Sequence, residues 1–234
     1  MKLITSKQNN SFKLWKNLKV KKYRDIHDMF LVYGKHLIEK AKEKHAIVDV
    51  ITSNDQLEGI LIDQALMNEL QQTETSFDQI AICKKVNPMI QSNKILMLDD
   101  VQDPDNVGAL IRSAAAFGFL HVIVSLKSAD FYNEKVIRAS KGAIFDVYLE
   151  RRPLVEAIHQ LKHHGYQIIC ADAHNKKTSN KTSPIVLVLG NEGHGISQEI
   201  KELSDASIQI PTQNVESLNV SVAGGILMYE WRAL

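Results

Sequence analysis

From residue 95 to the C-terminus, short apolar runs alternate with longer segments that carry helix signals, and this alternation restricts the fold more than any other feature. Residues 95–98, 121–124, 147–149, 166–171, 185–189 and 207–210 read as strands. Between them, residues 107–117, 133–139, 153–163, 196–203 and 218–232 read as helices. Gly118 follows the last periodic residue of one helix, a common stop, and Pro153 suits a first helical turn. Residues 185–189 read Ile-Val-Leu-Val-Leu, apolar at every position. Such a strand is buried on both faces, as in a parallel sheet sandwiched between helices. The expected fold class is α/β, with a mostly parallel sheet covered by helices on both faces.

A smaller α/β unit precedes it. Residues 11–24 carry Phe12, Trp15 and Leu18 at helical spacing, with lysines between them, which predicts one amphipathic helix with a basic outer face. Residues 30–33, 46–52 and 79–83 read as strands, with Gly34 stopping the first. Residues 35–44 and 61–69 read as helices, the second with Leu61, Ala65 and Met67 inward. Phe12 and Trp15 fit a core better than a base-stacking surface; Tyr23 and Tyr33 are further aromatics beside lysines. Residues 86–93 lack periodicity and contain Pro88 with Asn and Ser, which marks a linker. The boundary is placed near residue 92, giving units 1–92 and 93–234.

The net charge of +1 hides a strong asymmetry. Residues 1–45 hold 12 Lys/Arg against 4 Asp/Glu, a local +8, while 46–94 and 95–234 are −4 and −3. A basic segment on a mildly acidic chain points to a polyanion such as nucleic acid. Cys83 and Cys170 form no ligand spacing and read as buried core thiols of a reducing compartment. The first residues lack the apolar run of a signal peptide, and no apolar stretch reaches membrane-spanning length. The chain is expected to be soluble and cytoplasmic, with no membrane partner.

Three segments carry polar side chains and glycines where a strand gives way to a helix, the usual place for a site in such folds. The first runs from Asp105 to Gly118 and holds Asn106 and Arg112. Asp103-Pro-Asp-Asn106 is a helix-start signal, which puts Asn106 in the loop or at the cap. Around Arg112 the helical neighbours Gly108, Ala109, Ala115 and Ala116 are all small, so the helix offers its guanidinium no acidic partner. Asp99, Asp100, Asp103 and Asp105 do not make a calcium loop, because Val107 and Ala114 fall at ligand positions. No metal is expected.

The second segment, Leu187 to Gly195, includes Gly-Asn-Glu-Gly-His-Gly. Its glycine order is GxxGxG rather than GxGxxG, which argues against a nicotinamide dinucleotide and an oxidoreductase. Glu192 is a loop carboxylate able to orient a partner or hold the turn, and His194 reads as incidental. The third segment runs from Ile210 to Ser221. Ser217 is an N-cap candidate and Asn219 falls in the following first turn. Ala223-Gly-Gly225 inside that helix weakens it locally and implies close packing.

Together and in this order, the three segments resemble the motifs of the SpoU (TrmH-like) RNA 2′-O-ribose methyltransferases, over residues 95–234. Residues 1–90 resemble, more loosely, the L30e-like substrate-binding domain that often precedes that catalytic domain, through 6–10, the basic stretch 19–24 and Val32-Tyr-Gly34. The resemblance implies a C-terminal trefoil knot, S-adenosyl-L-methionine as cofactor and a homodimer. It implies a catalytic set of Asn106, Arg112, Glu192, Ser217 and Asn219. Backbone around Gly190, Ile210 and Leu218 would hold the cofactor. The implied activity is methyl transfer to a ribose 2′-hydroxyl, with ribosomal RNA preferred. Transfer RNA is the alternative substrate, and a non-catalytic RNA-binding or ribosome-assembly protein the alternative class. Two departures stand out. Thr212-Gln-Asn214 replaces the usual Met and Gly after Ile-Pro, with one residue fewer, and Lys141 stands where a small residue is usual.

Overall fold

The computed structural model describes residues 3–72, 76–172 and 184–233. The N-terminal part runs β1 (Leu3–Ile4), α1 (Asn10–Asn17), α2 (Lys21–His27), β2 (Met29–Tyr33), α3 (Lys35–Glu43), β3 (Ile47–Thr52), β4 (Ile60–Ile62), α4 (Gln64–Leu70) and β5 (Gln79–Lys84). Its five strands form a mixed sheet in the order β1-β4-β3-β5-β2. After an irregular stretch come β6 (Lys94–Asp99), α5 (Pro104–Phe117), β7 (His121–Val124), α6 (Glu134–Ser140), β8 (Tyr148–Arg151) and α7 (Leu154–His163). The chain ends with β9 (Gln167–Ala171), β10 (Ile185–Gly190), α8 (Gln198–Leu203), β11 (Ala206–Ile208) and α9 (Val220–Glu230).

The second sheet has six strands in the order β11-β9-β10-β6-β7-β8, and every pairing is parallel. Its central strands obey the period-2 rule on both faces. Leu96, Leu98, Leu187 and Leu189 point to the side that packs α5, α6 and α9, while Ile95, Met97, Val186 and Val188 point to the side of α7 and α8. Both sets are essentially solvent-free, which explains the unbroken apolar run of residues 185–189. Each such side chain contributes about 1.5–3 kcal/mol of burial free energy.

The expected helix over 11–24 is two helices. α1 stops at Asn17, and the chain turns through Leu18–Val20 before α2. The cause is side-chain chemistry: Arg24 Nη1 donates to the carbonyls of Leu18 and Lys19, both at 2.9 Å, in place of further helical amides. Phe12, Trp15 and Leu18 are buried as expected, and Tyr33 joins them, its hydroxyl donating to Leu70 O at 2.9 Å. The 61–69 helix also changes. Leu61 belongs to β4, which pairs with β1, and the shorter α4 buries Leu66, Met67 and Leu70 while Ala65 is exposed.

The two sheets share one hydrophobic cluster. Phe30, Leu37 and Ala41 from the first part pack with Phe131, Ile144 and Phe145 from the second. Phe30 lies 4.7 Å from Tyr132 and 6.1 Å from Phe145, centroid to centroid. Cys83 and Cys170 are free and buried. No helix among the described residues is long and apolar enough to cross a membrane.

Candidate active site

A cavity of about 570 Å³ opens at the C-terminal ends of β9, β10 and β11. That size suits a small-molecule ligand. Leu189, Ile196, Ile208, Ile210, Val220 and Leu227 give it an apolar wall, and residues 190–195 and 216–219 give it a polar rim. Gly190, Glu192, Ile210, Ser217, Leu218 and Asn219, expected from two separated stretches, all line this one cavity.

Gly190 is required by close approach of backbone. A Cβ built there would sit 2.3 Å from Gly195 C and from Ile196 N, a gap no side chain tolerates. The loop folds back on itself as Asn191 and Gly195 exchange backbone hydrogen bonds of 3.1 and 3.0 Å. Asn191 Oδ1 accepts from the amides of Gly193 and His194, while its Nδ2 donates to Asp100 O at 2.9 Å. Asp100 has φ +57° and is held by Ser125, whose Oγ donates to Asp100 Oδ1 at 2.7 Å. Nearby, Asp99 Oδ2 accepts from Ser197 N at 2.8 Å. Sequence reading left Asn191, Asp99 and Asp100 without these roles, because their partners lie roughly 90 residues away. The Asx-turn chemistry of Asn191 was the available signal.

Asn106 lies inside α5, not in the loop. The N-cap is Asp103, which accepts from Asp105 N, with Pro104 following it. Being helical aims the Asn106 side chain inward, and the residue is 8% exposed. Its amide joins two other motifs. Asn219 Nδ2 donates to Asn106 Oδ1 at 3.1 Å, and Asn106 Nδ2 donates to Glu192 Oε1 at 2.8 Å. Asn219, not Ser217, caps α9: its Oδ1 accepts from Ser221 N and Val222 N. That capping role fixes the direction of the chain, since Asn219 Oδ1 is committed and only its Nδ2 faces Asn106.

Arg112 stands apart. It is exposed on α5, does not line the cavity, and no described residue makes an ion pair or hydrogen bond with it. Lys201 meets Asp172 at 2.9 Å, and both line the cavity. The Thr212–Asn214 departure makes a tight turn: Thr212 Oγ1 donates to Val215 O at 2.9 Å and Asn214 has φ +62°. Lys141, the other departure, is an exposed left-handed C-cap of α6 at φ +51°. Among the described residues, no group of three or more His, Cys, Asp or Glu side chains is placed to hold a metal.

Fold and site define an α/β ligand-binding protein whose cavity lies at the strand ends of a parallel sheet, bordered by a polar chain from three motifs. A family model described as the SpoU rRNA methylase family matches residues 93–229, and one described as an MRM3-like substrate-binding domain matches residues 9–90. The chain therefore belongs to the SpoU family of RNA methyltransferases, whose cofactor is S-adenosylmethionine. The 23S rRNA (guanosine(2553)-2′-O)-methyltransferase RlmP of Bacillus subtilis is 31% identical over 99% of this chain and 100% of its own. A solved RNA 2′-O ribose methyltransferase is 26% identical with TM-score 0.80, covering 97% of each chain. The AdoMet-bound rRNA methyltransferase of Sinorhizobium meliloti shares the fold at TM-score 0.84 and 24% identity, over 99% of this chain and 97% of that one.

Proposed function

We propose that this protein transfers a methyl group from S-adenosylmethionine to a ribose 2′-hydroxyl of ribosomal RNA. The observation that carries the proposal is the chain Asn219→Asn106→Glu192, which ties all three motifs together beside one cavity. The likeness to a 23S rRNA 2′-O-methyltransferase over the whole length favours rRNA over tRNA.

The cavity suits the cofactor. Its apolar wall can take an adenine, its backbone rim supplies hydrogen bonds, and Gly190 keeps the loop free of a side chain where chain segments meet. Gly190, Ile210 and Leu218 would hold it through backbone groups. The cofactor supplies a methyl group on a sulfonium. The protein must orient the hydroxyl and deal with its proton. Orientation accounts for much of the acceleration in such a displacement. Glu192, oriented by Asn106 and Asn219, and Ser217 on the rim position the reacting groups. Arg112 stabilises the developing alkoxide and binds the neighbouring phosphate. A guanidinium has no acceptor and holds its protons, so the hydroxyl proton leaves through phosphate or water.

The remaining parts of the reading are organisational. The chain divides near residue 92 into an L30e-like RNA-binding unit and a catalytic unit whose C-terminal segment is knotted. It works in the cytoplasm as a homodimer, joined through the outer face of α9. The exposure of Arg112 supports this, because a residue with no partner among the described residues is available to substrate or to a second copy.

The test is labelled S-adenosylmethionine with separate rRNA and tRNA pools, followed by mapping of 2′-O-methyl positions. Label in rRNA at a single ribose is expected. Label in tRNA alone would reassign the substrate. Cofactor binding with neither RNA labelled would favour a non-catalytic assembly protein.

A further inference from the structure

Of the described basic residues near the N-terminus, Arg24 is the most deeply enclosed, while Lys19 is half-buried and donates to Glu69 O and Gln71 O. Lys13, Lys16, Lys21 and Lys22 are exposed, whereas Arg24 is 6% exposed and fully engaged. Its Nε and Nη2 donate to Asp130 Oδ2 at 3.2 and 2.7 Å. Its Nη1 donates to the carbonyls of Leu18 and Lys19. One side chain thus holds the turn between α1 and α2, the helices that carry these lysines, and a carboxylate of the catalytic unit.

Asp130 is itself held in place from behind. Arg151, at the end of β8, donates to the carbonyls of Ser125 and Ser128 at 2.9 and 2.8 Å and also to Ala129 O. Its guanidinium lies 5.6 Å from the Phe131 ring centre. The loop 125–131 is therefore a rigid shelf. Its other end meets the site, since Ser125 Oγ bonds Asp100, whose carbonyl receives Asn191 Nδ2. Further contacts close the seam between the units. Asn87 exchanges two hydrogen bonds with Leu149, of 2.8 and 2.9 Å, and Lys44 meets Asp146 at 2.6 Å.

We infer that the Arg24–Asp130 pair is a positioning device that fixes the turn between the lysine-bearing helices α1 and α2 at a set place relative to the methyltransferase cavity, and so helps determine which ribose reaches it. This rests on the reading of the chain as an RNA methyltransferase. A loosely tethered basic unit would need only charge to bind RNA. A buried, multidentate Arg–carboxylate pair adds fixed geometry, and here that geometry joins RNA-facing charge to the loop that braces the second motif.

The test compares the full-length protein with Asp130→Asn, Arg24→Lys and Asp130→Glu. Lysine keeps the charge but cannot serve the two carbonyls and the carboxylate at once. Asp130→Glu keeps the carboxylate and serves as the mild variant if the others do not fold. Amide hydrogen exchange reads the α1–α2 turn, and methylation of a 23S rRNA transcript reads function. In Asp130→Asn and Arg24→Lys, exchange at residues 18–22 should quicken and kcat/KM for RNA should fall by about 10- to 100-fold, as misplacement costs distant from the chemistry do. S-adenosylmethionine affinity should be unchanged, and Asp130→Glu should recover much of the loss. Quicker exchange with unchanged kcat/KM would make the pair a structural tie only and overturn the inference, as would unchanged exchange. If the wild-type protein binds S-adenosylmethionine but labels no RNA, the methylation reading fails, and RNA affinity replaces kcat/KM. Equal affinity across the variants then overturns the pair's role as well.

Discussion

At the scale of single residues, Arg112 and Asn106, both proposed for the site, sit in opposite settings. Asn106 is buried and connected, while Arg112 is exposed and has no partner among the described residues. Substituting Arg112 should therefore leave the fold alone. Arg112→Ala is expected to keep its melting temperature and its cofactor affinity while methylation slows by about 10²–10³-fold, the usual loss of one preorganised charge. Retention of more than about a tenth of the rate in single-turnover assays would remove Arg112 from the catalytic set. His121 makes a separate residue-scale case. Burial pushes its pKa below the ordinary 6.5, and the Glu150 carboxylate at 3.1 Å pulls it back only in part. The unfolded chain thus binds the His121 proton more readily than the folded one. Its contribution to stability is complete above pH 6.5 and lost as pH falls through the lower folded value. Denaturant unfolding between about pH 5 and 8 should show this acid-side decline, and His121→Asn should flatten it.

At the scale of elements, glycines record how tightly the layers meet. A Cβ at Gly224 of α9 would lie 2.4 Å from Leu110 Cδ2 and 2.6 Å from Leu189 Cδ1. Alanine there gains about 1 kcal/mol of helix propensity. It also has to push aside the buried Leu110 and Leu189 side chains, and overpacking of this kind costs about 1–3 kcal/mol. Gly224→Ala should lower the denaturation midpoint despite being a better helix former, and a raised midpoint would show that α9 is free to shift. This packing was legible in Ala223-Gly-Gly225, because glycine inside a helix needs a tertiary reason. The parallel sheet was legible for the same kind of reason: unbroken apolar runs have few other homes. What escaped was set by contacts that periodicity does not register. The break after Asn17 follows from the nearby Arg24 side chain taking the Leu18 and Lys19 carbonyls. β4 is three residues long and is defined by pairing with β1 and β3. The cap of α9 was placed two residues early because Ser217 and Asn219 are both good caps, and only the bond to Asn106 distinguishes them.

At the scale of the whole molecule, α9 poses the remaining problem. Its inner side, with Gly224, Leu227 and Met228, is buried against the sheet and α5. Its outer side is apolar too: Val222 is 51% and Tyr229 53% exposed, with Ile226 between them. Phe117 of α5 extends the patch, its ring 5.7 Å from that of Tyr229. A terminal helix that is apolar all round is ordinarily buried, and contiguous apolar surface on a folded chain marks an interface. A second copy seated there would also cover α5, the helix that carries Arg112. Sedimentation should accordingly show a dimer whose melting temperature rises with protein concentration, as mass action requires. Ile226→Lys puts a charge at the centre of the patch without touching the cavity, whose lining does not include it. It is expected to yield a folded monomer that has lost methylation. A stable interface buries about 1,200–2,000 Å² in total, more than three side chains provide, so such a contact would have to spread from α9 onto α5. A wild-type protein that sediments as a fully active monomer would refute the dimer and leave the outer face of α9 to a different partner.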